Sequence, residues 1–497
     1  NATTTPIDVS ADRQPVQVVA VDTPTRADKD YLGTLGLDPA EGATRTTVDV
    51  VLYDTQDEQL LRDAGFTWTV RIADLAARSR ASGRSSAPKA LAAALPSGRE
   101  DYRHLADYEA ELKALATEHP GLVKLITMPF KSLEGRDVLG VEIAENVNVD
   151  DGRPVFLQLG VHHAREWPAG EAPMEWAYEM AKGYGKNARV TSILGKSRTI
   201  VVPIVNPDGF NLSREAAAGQ SVDPGTPLGE ANSNIPPELN EQLPIQDPVY
   251  IAALLADQTA MTFSYKRRNC RVEDGRATAE GECSKPGPRA VGGSRDLGTD
   301  PNRNYGGLWG GPGASHSRTV DTYRGAAPFS EPETQNVKAL VSSRQVTTLI
   351  TNHTYSDLVL RPPGLKAQGP PPDEPVYKAL GDDMAAQNGY VSQKSYELYD
   401  TTGTTEDWSY YATGGFGFTF EIYCGAPNYT TGDRDDPAFH PLYESADDHM
   451  LDRVLAYAKF NKRLWARVVE ACCTISDGQP RKLTHRLLDR ALGTLGR

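Results

Sequence analysis

The hexapeptide HHAREW at 162–167 sets two histidines, an arginine and a glutamate directly after the apolar run RPVFLQLG at 153–160. His163 and Glu166 form a His-x-x-Glu pair, which can supply two ligands to one metal ion from a short segment. Zinc in a hydrolase typically takes three protein ligands from histidine and carboxylate and leaves one position for water. A third ligand is expected from another strand end, and His353 in LITNHTYSD again follows an apolar run immediately. His104/Asp107 and His449/Asp452 repeat the His-x-x-acid spacing. Both lie in helical, polar contexts and read as structural. The chain has no His-Glu-x-x-His motif, so a helix-borne zinc protease site is excluded.

These residues need a scaffold that gathers strand ends. The runs 153–160, 198–206, 346–352 and 415–422 read as buried strands, with helical patterns such as 174–185 between some of them. Such alternation predicts a large parallel or mixed sheet with helices on its faces, and ligands beyond the carboxyl ends of its strands. Residues 102–122 read as a helix stopped at His119-Pro120-Gly121. Ahead of it, residues 1–75 read as a small α/β unit, strand, amphipathic helix ended by Gly65, strand. Residues 76–100 form a Ser/Ala/Arg/Pro-rich linker suited to proteolysis. The stretches 211–262 and 269–295 read as polar surface excursions. The end, 471–497, is a basic amphipathic helix or a loose tail.

Five segments in order, HHAREW, NPDGF (206–210), TDPNRNYGG (299–307), NHTYSD and TTGTTEDWSYYATGGFGFTFEIY, resemble the successive signatures of zinc carboxypeptidases related to carboxypeptidase A. The resemblance spans roughly residues 101–470 and implies an α/β fold with an eight-stranded mixed sheet flanked by helices. Residues 1–75 then resemble the family's prosegment, and the arginine-bearing linker an activation site. The same resemblance implies one Zn²⁺ per site, held by His163, Glu166 and His353, with His162 outside the pattern. It makes Asp300 the partner that orients the first histidine ligand. Glu421, closing a strand, becomes the general base for a zinc-activated water. Arg267, in SYKRRNCR, becomes the group that stabilises the tetrahedral oxyanion, and a one-residue slip would nominate Lys266 instead.

By the same matching, Asn302 and Arg303 clamp the substrate's terminal carboxylate, and Tyr399 folds over it. Arg165 and Tyr355 resemble more distant subsite residues. Family members that remove aliphatic or aromatic residues carry an apolar residue just before the Asp407-Trp408 position. Those that remove lysine or arginine carry aspartate there, and this chain has Glu406. The expectation is a basic or mixed specificity, with Lys394 the nearby cation that competes for Glu406.

Composition is ordinary for a soluble globular protein: 39% hydrophobic and 24% charged residues among 497. A net charge of −14 argues against nucleic-acid binding, and no apolar run reaches the length of a membrane span. Cys270 and Cys283 bracket a Gly-rich polar stretch and read as a disulfide-closed loop; Cys424 could pair with Cys472 or Cys473. The start NATTTPIDVS reads as a chain whose signal peptide has been removed, so export is expected. A monomer is expected, and the resemblance implies peptide or protein C-termini as substrate. Two other readings stay open: a relative cleaving bacterial cell-wall peptides, and a non-catalytic binding protein, which predicts a lost ligand or base. None is missing.

Overall fold

The structure is a computed structural model that describes residues 15–75, 95–99, 102–217, 263, 265–284 and 297–422. The expectations for Cys424, Cys472, Cys473, His449/Asp452, the tail and most of the linker lie outside the described residues.

Residues 15–75 build a four-stranded antiparallel sheet from β1 (Gln17–Asp22), β2 (Asp38–Ala43), β3 (Thr47–Leu52) and β4 (Trp68–Ile72), in the order β2-β3-β1-β4. Helices α1 (Arg26–Thr34) and α2 (Thr55–Asp63) complete it. Period-two alternation divides its apolar residues between two faces. Val19, Val21, Val48, Val50 and Leu52 pack with Leu32 of α1 and Leu61 of α2. Val18, Val51 and Ile72 face the other way and pack against Tyr265 and Tyr355 of the following domain. Each helix begins where a side chain caps it: Thr25 accepts from the Asp28 amide, and Asp54 from those of Gln56 and Asp57. The sequence reading located β3, α2 and β4 but not β1, α1 or β2.

The second unit is an eight-stranded mixed sheet. Its strands are β5 (Val123–Thr127), β6 (Leu139–Ile143), β7 (Val155–Leu159), β8 (Arg198–Val202), β9 (Val346–Thr354), β10 (Leu358–Arg361), β11 (Val391–Lys394) and β12 (Phe416–Ile422). Their order is β11-β10-β12-β9-β7-β8-β6-β5, which agrees with the expected architecture. The central strands β8, β7, β9 and β12 run parallel, and every residue in them is buried. That explains why β7, β8 and β9 lack a regular apolar–polar alternation.

Helices α3 (Leu105–Glu118), α4 (Pro168–Gly183), α5 (Ala188–Lys196) and α8 (Glu374–Asn388) cover one face, meeting Phe156, Ile350 and Phe418. α7 (Pro332–Ser343) covers the other, meeting Val155, Leu157, Leu159 and Leu349. α6 (Pro207–Ala217) runs into the region expected as a surface excursion. The stretch after 269 also departs from expectation, because Asn269, Cys270 and Arg271 are buried. Asn269 is held there by bonds to Glu331, Glu333 and the Thr299 amide. Cys270 and Cys283 are joined in a disulfide. Among the described residues, no helix is long and apolar enough to cross a membrane.

Candidate metal centre and active site

Three neighbouring parallel strands deliver the site. β7 ends at Leu159, and the chain turns at Gly160, where a Cβ would stand 2.2 Å from the Ala169 carbonyl oxygen, so only glycine fits. The turn carries His163 and Glu166 into the start of α4. β9 carries His353, and β12 places Glu421 directly beside it in register. All four side chains are buried.

His163 Nδ1 and His353 Nδ1 face each other at 3.1 Å. Glu166 reaches both, with Oε1 2.6 Å from the first and Oε2 3.0 Å from the second. Lone pairs of two imidazoles and a carboxylate aimed at one point repel one another unless a cation lies among them. The donor set therefore fits a divalent ion with nitrogen and oxygen ligands, such as zinc.

Asp300 ties the cluster to its surroundings. One carboxylate oxygen lies 3.2 Å from His163 Nε2 and accepts from the Asn302 amide at 2.8 Å; the other accepts from Arg267 Nε at 3.0 Å. Burial alone would raise its pKa, but Arg267 and His163 outweigh burial and hold it well below the usual carboxylate range. Burial likewise pushes His163 down, and Glu166 and Asp300 reverse this to about 9. Glu166 is raised by burial and brought down to about 2 by the two imidazoles.

Glu421 has the opposite balance. Burial, then the Glu166 charge, push it up to about 8, and its Oε2 has no hydrogen-bond partner among the described residues. A cation at the donor set favours its charged form.

Asn302, Arg303, Arg267, Tyr399, Glu406 and Glu421 line one cavity with His163 and His353. Lys266 points elsewhere, donating to the Leu297 carbonyl at 2.8 Å. Arg303 donates to the carbonyls of Gly313 and Asn302. Burial raises the Tyr399 phenol. Glu406 accepts from Ser395 at 3.2 Å with Oε1, while its buried Oε2 has no hydrogen-bond partner among the described residues. Lys394 does not reach it. That ammonium pairs with Glu374 at 3.3 Å and lies over the Tyr396 ring.

Arg165 and Tyr355 are engaged by the N-terminal domain. Arg165 donates from Nη1 to Asp38 Oδ2 at 2.8 Å and from Nη2 to Asp38 Oδ1 at 3.0 Å. Tyr355 donates to Asp49 at 2.7 Å, an approach that Gly42 permits, since a Cβ there would lie 2.6 Å from the phenol oxygen. Arg26 of α1 donates to the Tyr396 carbonyl and to Asp400, on either side of Tyr399.

The sequence reading missed Asp38, Arg26 and Thr351. For Thr351 a signal existed: it lies two residues before His353 on a strand, hence on the same face. Arg26 and Asp38 carry no local signal, because their partners lie far along the chain.

A mixed eight-stranded sheet whose carboxyl edge gathers two histidines and a glutamate is the architecture of a metal-dependent hydrolase. The family model described as zinc carboxypeptidase matches residues 108–430, and the chain belongs to that family of peptide hydrolases. A zinc carboxypeptidase of Saccharothrix mutabilis subsp. capreolus is 27% identical over 76% of this chain and 77% of its own length. Carboxypeptidase A2 of Rattus norvegicus is 26% identical over 65% of this chain and 63% of its own. Among solved structures, carboxypeptidase A from Helicoverpa armigera superposes with a TM-score of 0.64 at 18% identity, covering 90% of this chain and 98% of that one. Thrombin activatable fibrinolysis inhibitor gives 0.62 at 17% identity over 89% and 100%. These two likenesses speak for the fold alone.

Proposed function

We propose that this chain is a zinc carboxypeptidase with Glu421 as general base and a preference for C-terminal arginine or lysine. The observation that carries the reading is the convergence of His163, Glu166 and His353 beside the unpartnered Glu421 Oε2. A zinc ion held by those three residues supplies Lewis-acid chemistry, polarising water and the scissile carbonyl.

The protein's own groups do the rest. Glu421 takes a proton from the attacking water and passes it to the leaving amine as the C–N bond breaks. The Arg267 guanidinium, anchored by Asp300, stabilises the charge that develops on the carbonyl oxygen. Asn302, Arg303 and the Tyr399 hydroxyl hold the terminal carboxylate, which restricts cleavage to the last residue. The buried Glu406 carboxylate lining the cavity suits a cationic side chain, and Lys394 is committed to Glu374 instead.

Residues 1–75 act as an inhibitory prosegment in this reading. Support comes from Asp38 on Arg165, Asp49 on Tyr355, and Arg26 holding both sides of Tyr399. Secretion accords with the Cys270–Cys283 disulfide. The test is to cleave the linker and offer peptides ending in Arg, Lys or Phe. Chelator-sensitive release of free Arg and Lys, absent before cleavage, is expected; zinc binding without any release would overturn the reading.

A further inference from the structure

His162, which the family pattern leaves unused, is buried in a run of hydrogen bonds behind the metal cluster. Its ring stacks on His353 with centroids 5.7 Å apart and planes 17° apart. Thr351 Oγ1 lies between the two histidines, 3.1 Å from His353 Nε2 and 3.1 Å from His162 Nδ1. His162 Nε2 lies 2.8 Å from the Tyr305 hydroxyl and 3.3 Å from Thr405 Oγ1. Thr405 then donates to Asn302 Oδ1 from its hydroxyl at 2.9 Å and its amide at 3.0 Å. The His162 carbonyl accepts from Asn206 at 3.1 Å, which fixes its backbone.

Donor and acceptor roles along this run follow from one end. His353 turns Nδ1 to Glu166 and His163, so as a neutral ligand it carries its proton on Nε2. That N–H donates to Thr351, whose own O–H is left to donate to His162 Nδ1. His162 then carries its proton on Nε2 and donates it to Tyr305. At the far end Asn302 Oδ1 accepts twice from Thr405, which leaves its amide N–H groups for a substrate carboxylate.

We propose that His162 is a positioning residue: through Thr351 it fixes the orientation and tautomer of His353 for the metal, and through Thr405 it braces Asn302. The inference rests on the zinc carboxypeptidase reading. An apolar residue would fill the same space without desolvating a polar ring, whereas a fully bonded histidine orients the groups on both sides.

The test measures zinc affinity of the metal-stripped full chain by competition with a chelator. His162→Leu is expected to weaken zinc about 10–100-fold, because it releases the Thr351 hydroxyl that is the direct partner of the ligand His353. Thr351→Val should give the same loss and provides the test if His162→Leu does not fold. His162→Asn, whose amide oxygen takes the Nδ1 position, should stay within about threefold of the parent. The two changes act on one path, so the double variant should bind no more weakly than the weaker single. A purely structural role would instead lower the thermal midpoint of the metal-free chain and leave zinc affinity unchanged. Leucine at 162 within about threefold of the parent, or losses that multiply in the double variant, would overturn the proposal. A parent chain that binds no zinc would overturn the metal reading itself, and this inference with it.

Discussion

Asp38 of the N-terminal sheet grips Arg165 of the catalytic domain with both carboxylate oxygens, at 2.8 and 3.0 Å, and both residues are buried. A planar two-point pair of this kind is a strong charge-assisted contact. Under the proposed function it occupies a side chain of the substrate path. Asp38→Ala leaves the Arg165 guanidinium buried without that carboxylate, which costs on the order of 3–5 kcal/mol. The uncleaved Asp38→Ala chain should therefore hydrolyse peptides at least about tenfold faster than the uncleaved parent, each 1.4 kcal/mol being a tenfold shift in an equilibrium. After cleavage in the linker the two should be equal. Assaying both chains before and after proteolysis decides it; an uncleaved variant as silent as the parent removes the latch from the account.

Glu421→Gln keeps the shape of the side chain and removes the proposed base. The expected result is a fall in kcat of about 10²–10⁴-fold with little change in KM. Zinc content should not change, since Glu421 is outside the His163–Glu166–His353 set. Metal analysis beside steady-state kinetics checks both halves. Retained turnover would place the proton transfer elsewhere.

The metal cluster was legible because buried strands announce themselves. VFLQL, VTTLITN and GFGFTFE are apolar runs, and the chemistry stands at their ends, where a parallel sheet presents it. The short strands β10 and β11 had no such signature, with four residues each. β2 was invisible for a different reason: DPAEGA holds proline, glycine and two acids, all depleted in strands, and pairs only through its neighbour β3. Its Asp38 therefore came as a structural finding. The buried Asn269–Arg271 stretch was misread for a similar reason, since its polar groups are satisfied by partners some 30 to 60 residues away.

Glu406 makes the specificity testable on one side chain. Glu406 lines the cavity beside His163 and His353; among the described residues its Oε2 has no hydrogen-bond partner and its Oε1 accepts from Ser395. A cationic substrate side chain pairs with it, whereas an apolar one leaves the carboxylate buried and unpaired. Glu406→Leu should lower the ratio of kcat/KM for Arg-ending over Phe-ending peptides by about 100-fold or more, roughly the 3–5 kcal/mol of a broken buried pair. Glu406→Gln should fall between. A ratio indifferent to both changes would remove Glu406 from the pocket's selectivity.

Glu333 predicts a pH dependence away from the active site. It is fully buried; Oε2 accepts from Asn269 at 3.0 Å, and Oε1 has no hydrogen-bond partner among the described residues. Burial, then the Glu331 charge, raise its pKa from 4.5 to about 8. The folded chain therefore holds a proton between these values that the unfolded chain has released. Stability must fall as pH rises through this window, by up to about 1.4 kcal/mol per unit from this group. Glu333→Gln keeps an acceptor for Asn269 and removes the titration. Groups shared by both chains cancel in the comparison, so the variant's advantage in urea unfolding should grow from near pH 4.5 to near pH 8 and then level off. An advantage independent of pH would mean that Glu333 is ionised in the folded protein throughout this range.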